Sequence, residues 1–576
     1  MLKNEVAQFG TMAPKRILFH STQGALGYKA WRLFVGFGIG LAFFLLLGYR
    51  IHLTPDIHLD EMLYYRVSFN LATTGEFTWE QNPVLVHPPM QFLLNSAFLR
   101  LVGMAETFEP FDGLYTARLF NVTVAAVTAV IFFRLLEDLA TFNTALLGSV
   151  LLILDPFVIR INRRNYLETL AEFWIVAGLY LYWRNRDNMT LARTIMIGMI
   201  FGFGLLTKEL VIFGYGVLVV FVFVAGRWQD IKRVFLIGGV ALGMWGLFPF
   251  WAWSVGQWDV FMWNKTYNLR RLLGQVQVSG WNRPGVSFVG ALKVNLVQYA
   301  SSYILIVLGG LALLYLALVW RDENGRFAVA WAGTYYVFFA YSIVGGALND
   351  QFFYFLLVPV MLVHGVVLGR LFRILTGQPF KLTNSMEIPN VLFLKPHPRI
   401  PLFVAHIERW LLVPAEWAVY GENRLRTAPK WLRTAVLLGL AVMLTAVFAF
   451  NISRWVKLFA IEYDNSMYQL SAYIEENILP GTKINSMFTE RELTLKLMLP
   501  DYELVTIRNP AVIEQENVAY AILSTKNLWG RYGEMTPDYF DWVKEHGTLV
   551  FSVYGNTFWD VELYKLELGN HEAVTD

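Results

Sequence analysis

Apolar residues recur along this chain in eleven runs separated by polar stretches. The runs are Trp31 to Leu47, Leu119 to Leu136, Ala145 to Ile159, Leu170 to Trp183, Ile195 to Leu206 and Val211 to Ala225, followed by Val234 to Trp253, Tyr303 to Trp320, Phe327 to Val344, Phe352 to Leu371 and Ala435 to Phe450. Several fall short of the ~20 residues of a full bilayer span, so the pattern predicts spanning helices with soft ends. A shorter apolar segment, Met90 to Val102, reads as a re-entrant or interfacial helix. After Phe450 the pattern changes. Tyr468 to Glu476 is amphipathic and stops at Leu479-Pro480-Gly481. Val518 to Leu523, Thr548 to Val553 and Val561 to Leu566 read as strands, and Pro537 opens a helix through Glu545. The expected fold is a polytopic α-helical membrane module of about eleven transmembrane helices, residues 1–456, ending in a small α/β domain, residues 457–576.

Composition supports lipid as the solvent. Hydrophobic residues are 56% of the 576 and charged residues 16%, against about 25% charged in soluble domains. The 20 Trp and 27 Tyr suit membrane interfaces. A net charge of +3 gives no case for nucleic acid. Cys is absent, which removes disulfides and thiolate metal sites and leaves the redox compartment unread. No cleavable signal peptide and no internal repeat are evident.

Charge orients the runs. Lys15, Arg16, Lys29 and Arg32 precede the first; Arg184, Arg186, Arg193, Arg227, Lys232, Arg233, Arg321 and Arg326 fall on the same side if each run spans once. The basic segment 372–433, with an amphipathic piece near Phe403 to Trp417, falls there too. That side is expected to be cytoplasmic, in the plasma membrane of a cell. The first outer loop, 50–118, and the C-terminal domain are then extracytoplasmic.

Ionisable groups gather on the outer side, despite a cost of about 2.5–3.5 kcal/mol or more at mid-bilayer. They are Asp60-Glu61, His87-Pro88-Pro89, Arg163-Arg164 with Glu168, Lys208-Glu209, Arg270-Arg271 and Asn349-Asp350. Each alone has a plainer reading. Asp60-Glu61 is a solvated pair, His87 caps a turn, and Arg163 and Arg164 anchor to headgroups. Glu168 pairs with Arg164 at helical spacing, Lys208 snorkels with Glu209 as partner, and Arg270 and Arg271 belong to a tolerant surface loop. Together they suit one chemistry. A carboxylate takes the proton of an attacking hydroxyl at a sugar's anomeric carbon, while Arg and Lys hold a departing lipid-linked phosphate.

The run His58-Leu59-Asp60-Glu61-Met62-Leu63-Tyr64-Tyr65, continued by Thr74-Gly75-Glu76-Phe77 and His87-Pro88-Pro89-Met90, resembles the GT-C superfamily of membrane glycosyltransferases. The likeness is to the branch of protein O-mannosyltransferases and lipid A aminoarabinose transferases. Arg163-Arg164-Asn165-Tyr166-Leu167-Glu168 and Gly202-Phe203-Gly204-Leu205-Leu206-Thr207-Lys208-Glu209 add to it. The resemblance implies an inverting enzyme that moves one sugar from a polyprenyl phosphate to an extracytoplasmic protein, lipid or polysaccharide acceptor. It implies Asp60 as catalytic base with Glu61 beside it, and a pocket shaped by Arg163 and Glu168. Lys208 is a weaker correspondence, and Arg164, Arg270 and Arg271 join the substrate-binding set from their place in the sequence. His87 stands where the aminoarabinose branch carries Lys, as in the mannosyltransferases; a mostly uncharged imidazole is poorly suited to phosphate. No metal or other cofactor is expected. The rival class is a transporter or lipid flippase, which the missing repeats disfavour.

Overall fold

The computed structural model describes residues 22–53, 59–79, 82–276, 288–319, 323–345, 352–376, 417–418, 420–460, 465–486, 495–496, 498–507, 509–524, 536–555 and 559–567. Asn349-Asp350 and most of the basic segment 372–433, including nearly all of its amphipathic piece, lie outside these residues.

Each of the eleven apolar runs lies on helix. The helices are α1 (Thr22–Gly48), α4 (Pro110–Leu139), α5 (Phe142–Leu154) with α6 (Pro156–Asn162), α7 (Leu167–Asn185), α8 (Leu191–Leu205) and α9 (Ile212–Ala225). Then follow α10 (Ile231–Trp245) with α11 (Leu247–Ser254), α13 (Phe288–Val319), α14 (Glu323–Gly345), α15 (Phe353–Thr376) and α16 (Lys430–Ala460). Among the described residues, six helices are long and apolar enough to cross a membrane alone, or seven with the bent α5–α6 pair.

That bend is 65°, and its cause is local. Asp155 caps α6 through Oδ1, which accepts from the Phe157 and Val158 amides at 2.9 and 3.0 Å. Pro156 takes the first helical position, where its missing N–H costs nothing. The Asp155 Oδ2 accepts from Ser302 at 2.8 Å, so α13 holds the corner. The apolar run from Ala145 to Ile159 is therefore two helices, and α6 delivers residues 163–166 into the site.

Three further helices lie between the spans. They are α2 (Leu59–Thr73), α3 (Met90–Leu101) and α12 (Trp258–Leu272), and the two-residue strands β1 (Thr78–Trp79) and β2 (Asn82–Pro83) pair between α2 and α3. The tip of α2 packs on α4 at Gly113, where an added Cβ would lie 1.8 Å from the Tyr65 hydroxyl.

Beyond α16, α17 (Ser466–Asn477), α18 (Pro510–Gln515) and α19 (Pro537–His546) flank a five-stranded sheet. Its order is β4-β3-β5-β7-β6, from β3 (Lys483–Ser486), β4 (Glu503–Val505), β5 (Tyr520–Ser524), β6 (Gly547–Gly555) and β7 (Trp559–Leu566). The first three strands are parallel and the last two antiparallel. Met467, Leu470 and Ile474 pack with Ile484 and Leu563 on one face; Tyr539, Phe540 and Val543 pack with Ala521 and Leu523 on the other. The pattern predicts β5, β6, β7, α17 and α19; β3 and β4 carry too few alternating positions to show. Tyr468 of α17 meets Phe111 of α4 with ring centroids 4.4 Å apart.

Candidate active site

Asp60 and Glu61 occupy the first turn of α2, where carboxylates favour the positive end of the helix dipole. The two differ sharply in environment. Asp60 is half-buried, whereas Glu61 is fully enclosed. Arg118 of α4 grips Glu61 with two hydrogen bonds, Nε to Oε2 at 2.8 Å and Nη2 to Oε1 at 3.2 Å. Arg164 reaches Oε1 at 3.5 Å, and the Asn165 amide donates to Oε2 at 3.2 Å. Burial alone would raise the Glu61 pKa, but the Arg118 and Arg164 guanidinium groups and these hydrogen bonds hold it below the ordinary range.

Tyr64 lies one turn beyond Asp60 on α2. Its hydroxyl and His87 Nε2 share a hydrogen bond of 3.1 Å, with the rings edge-on at 85°. Burial, then the carboxylates of Asp60 and Glu168, push the Tyr64 pKa well above its usual value, so the phenol stays protonated. His87 is held well below its ordinary range by burial and by the charges of Lys208, Lys265 and Arg271. The Tyr64–His87 pair therefore feels the Asp60 and Glu168 carboxylates and the charges of Lys208, Lys265 and Arg271.

Those cations come from distant parts of the chain. The Met90 amide donates to the Leu206 carbonyl at 2.9 Å, which brings the His87-Pro88-Pro89 turn onto the end of α8. The run Gly202 to Thr207 then breaks at Lys208. Gly204 admits its neighbours there: an added Cβ would lie 2.6 Å from Val211 and 3.0 Å from Trp174. Lys208 forms a buried ion pair with Glu168 in the first turn of α7. Its alternative partner, Glu209, instead pairs with Lys265 of α12, whose Nζ also donates to the Val86 carbonyl at 3.1 Å. The Lys265 ammonium lies 5.0 Å from the Phe248 ring and 5.6 Å from Phe261.

The structure thus gathers Asp60, His87, Glu168, Lys208 and Arg271 around one site, with Glu61 and Arg164 anchored behind it. Arg163 turns away. Its guanidinium donates to the Tyr49 and Arg50 carbonyls at 2.9 and 3.0 Å and lies 5.1 Å from the Phe459 ring, tying the end of α1 to α16. Arg270 ends α12 exposed to solvent. Sequence reasoning missed Arg118, Asn165 and Lys265. Arg118 carried a signal, a lone cation at the head of an apolar run; Lys265 lay in a stretch taken as a tolerant loop that is in fact α12. Among the described residues no cluster of three or more His, Asp and Glu has the spacing to hold a metal ion.

Two solved structures extend over nearly all of this architecture. ArnT from Cupriavidus metallidurans, bound to undecaprenyl phosphate, is 15% identical and superposes with a TM-score of 0.54 over 94% of this chain and 98% of its own. The archaeal oligosaccharyltransferase AglB from Archaeoglobus fulgidus, in complex with an inhibitory peptide and a dolichol-phosphate, is 12% identical. It gives a TM-score of 0.55 over 93% of this chain and 74% of that one. The fold is the GT-C fold. Within it, residues 39–262 match the family model of dolichyl-phosphate-mannose-protein mannosyltransferase. That segment runs from α1 into α12 and holds every residue of the candidate site named above except Lys265, Arg270 and Arg271. No curated protein matches the chain in sequence.

Proposed function

We propose that this protein is an inverting glycosyltransferase that moves a single sugar from a polyprenyl-phosphate donor to an extracytoplasmic acceptor. One observation carries the reading: Asp60 lies one turn before Tyr64, which bonds to His87, and the His87-Pro88-Pro89 turn is joined on either side to Lys265 through Val86 and to the segment of Lys208 through Met90 and Leu206. In the reaction an acceptor oxygen forms a bond to the anomeric carbon while the carbon–phosphate oxygen bond breaks. Asp60 takes the acceptor's proton, and the phosphate leaves with the bonding electrons as polyprenyl phosphate, its charge met by the cations. The leaving group needs no protonation, so a neutral His87 is consistent with a spacer and not an acid. The match to the mannosyltransferase family model over 39–262 and the polyprenyl phosphates bound in both GT-C neighbours support this donor class.

Glu61 and Arg164 act as anchors in this reading, and Arg163 as a tie to the membrane module. The site and the α/β domain, residues 457–576, are assigned to the extracytoplasmic side and the N-terminus to the cytoplasm. Support comes from α7, which starts at Glu168 in the site and ends among Arg186, Arg227, Asp187, Asp230 and Glu323, joined in ion pairs of 2.6–3.7 Å. With Arg184 and Arg233 also paired there, four arginines gather at this end, and it is the Lys and Arg count, not the net charge, that suits the cytoplasmic face.

The test is to incubate purified protein in detergent with a panel of polyprenyl-phosphate sugars and to follow free polyprenyl phosphate by mass spectrometry. Release dependent on an acceptor is expected with at least one donor. Intact donor throughout, with the lipid moved between leaflets of proteoliposomes, overturns the reading in favour of a flippase.

A further inference from the structure

Asn165 lies fully buried between Arg164 and α7, and it bonds twice to Glu61. Its amide N–H donates to Oε2 at 3.2 Å, and its side-chain Nδ2 donates to the Glu61 main-chain carbonyl at 3.4 Å. Glu61 adjoins Asp60, and Asn165 stands three residues before Glu168. One side chain therefore ties the backbone carrying Asp60 to the backbone carrying the Glu168–Lys208 pair.

Behind Asn165 is a buried set of amides whose orientation is forced. Asn121 Nδ2 donates to the Arg164 and Tyr166 carbonyls at 2.7 and 2.8 Å, so its Oδ1 must accept, and Gln91 Nε2 supplies that bond at 3.0 Å. Asn165 spends Nδ2 on Glu61, so its Oδ1 accepts, from Asn95 Nδ2 at 3.1 Å and Gln91 Nε2 at 3.4 Å. Flipping any one of these amides would set oxygen against oxygen. The result leaves Gln91 Oε1 and Asn95 Oδ1 buried with no donor among the described residues. Donors from Asn121, Asn95 and Gln91 thus all reach residues 164–166, the segment that grips Glu61.

We propose that Asn165, backed by Gln91, Asn95 and Asn121, is a positioning residue that fixes Asp60 relative to the Glu168–Lys208 pair. The inference rests on the reading of Asp60 as base. Proton transfer demands hydrogen-bond reach, and a misplacement of about 1 Å costs on the order of 10²-fold in rate. Removing the Asn165 side chain frees the first turn of α2 without touching the cations, so the loss falls on kcat and spares donor binding.

The experiment uses the full chain in detergent with the donor found active. Asn165→Ala is expected to lower kcat by on the order of 10–10²-fold with donor KM within about twofold. Asn165→Asp turns an oxygen toward the Glu61 carbonyl, and only its protonated form can donate there. The ratio of its kcat to that of the unaltered protein therefore rises as pH falls. Unchanged kcat in Asn165→Ala, a fall in kcat matched by a rise in KM, or a flat Asn165→Asp ratio overturns the proposal. If Asn165→Ala does not fold, Gln91→Met, which removes a donor and an unsatisfied acceptor together, takes the same kcat test. Asp60→Asn is assayed alongside. Full activity there ends the reading of the base and this inference with it; an inactive Asp60→Asn beside a fully active Asn165→Ala ends the inference alone.

Discussion

Lys208, at the break after α8, and Glu168, in the first turn of α7, form an ion pair with both side chains at most one-tenth exposed. Removing one partner of such a pair strands the other charge in a poorly solvated place, which costs about 3–5 kcal/mol. Lys208→Met and Glu168→Gln should each lower the melting temperature in detergent. The double variant Lys208→Met/Glu168→Gln should recover much of that loss without recovering transfer. Additive destabilisation in the double variant would show that the pair carries no mutual stabilisation.

Asp60 is expected to be indispensable for a different reason. It is half-buried in the first turn of α2, whereas Glu61 beside it is fully enclosed and gripped by Arg118 and Arg164. Asp60→Asn should cut turnover by about 10²–10⁴-fold, the usual worth of a general base, and leave thermal stability unchanged. Glu61→Gln should do the reverse in part, because it dismantles the bidentate Arg118 grip and unfolds the protein at lower temperature. Equal stability of the two variants would refute this division of labour.

Much of this was legible from charged residues in apolar surroundings. Asp60, Glu168 and Lys208 stand out because ionisable groups at membrane depth demand a cause, and the fold brings them into one candidate site. Pairing was not legible: Glu168 has Arg164 four residues away, but Arg164 lies before α7 and turns to Glu61, and the packing of α7 on α8 brings Lys208 to Glu168 instead. The α5–α6 corner was written in Asp155-Pro156, but apolar periodicity passes over it. Neutral amides such as Asn165 give no hydropathy signal, so the network behind Glu61 emerges only in three dimensions. The same holds for Lys265, whose role depends on α12 folding back over Phe248.

Donor affinity should separate the cations. Lys208 and Arg271 act on His87 by charge, whereas Arg270 is exposed at the end of α12. Neutral variants Lys208→Met and Arg271→Gln should raise donor KM by about tenfold, the effect of about 1.4 kcal/mol, and Arg270→Gln should match the unaltered protein. Binding of polyprenyl phosphate in a competition assay checks this. Equal donor affinity in all three would remove the cation set from the phosphate site.

Gly113 tests whether the seating of α2 matters for activity. A methyl group there would collide with the Tyr65 hydroxyl, which donates to the Glu109 carbonyl at 3.0 Å. Overpacking of this kind costs about 1–3 kcal/mol and is relieved by backbone shifts. Gly113→Ala should push α2 from α4 and lower turnover, and Gly113→Ala/Tyr65→Leu should restore part of it by removing the hydroxyl and ring atoms that lie 1.8, 2.2 and 2.8 Å from the new methyl. A fully active Gly113→Ala would mean that α2 tolerates displacement.

Acid sensitivity offers the last discriminating measurement. His87 has its folded pKa depressed below the ordinary 6.5 by burial and by Lys208, Lys265 and Arg271. Below about 6.5 the unfolded chain binds a proton that the folded chain refuses, so stability falls as pH drops from there toward the lowered value. Glu61 acts in a lower window: its stabilisation is complete above its ordinary 4.5 and is lost as pH falls through its depressed folded value. Melting temperature against pH should therefore decline in two stages. His87→Gln cannot titrate, so it should abolish the upper stage and leave the lower one, while Glu61→Gln should abolish the lower. An upper stage that survives in His87→Gln would show that another group, and not the imidazole beside Tyr64, governs the site's response to acid.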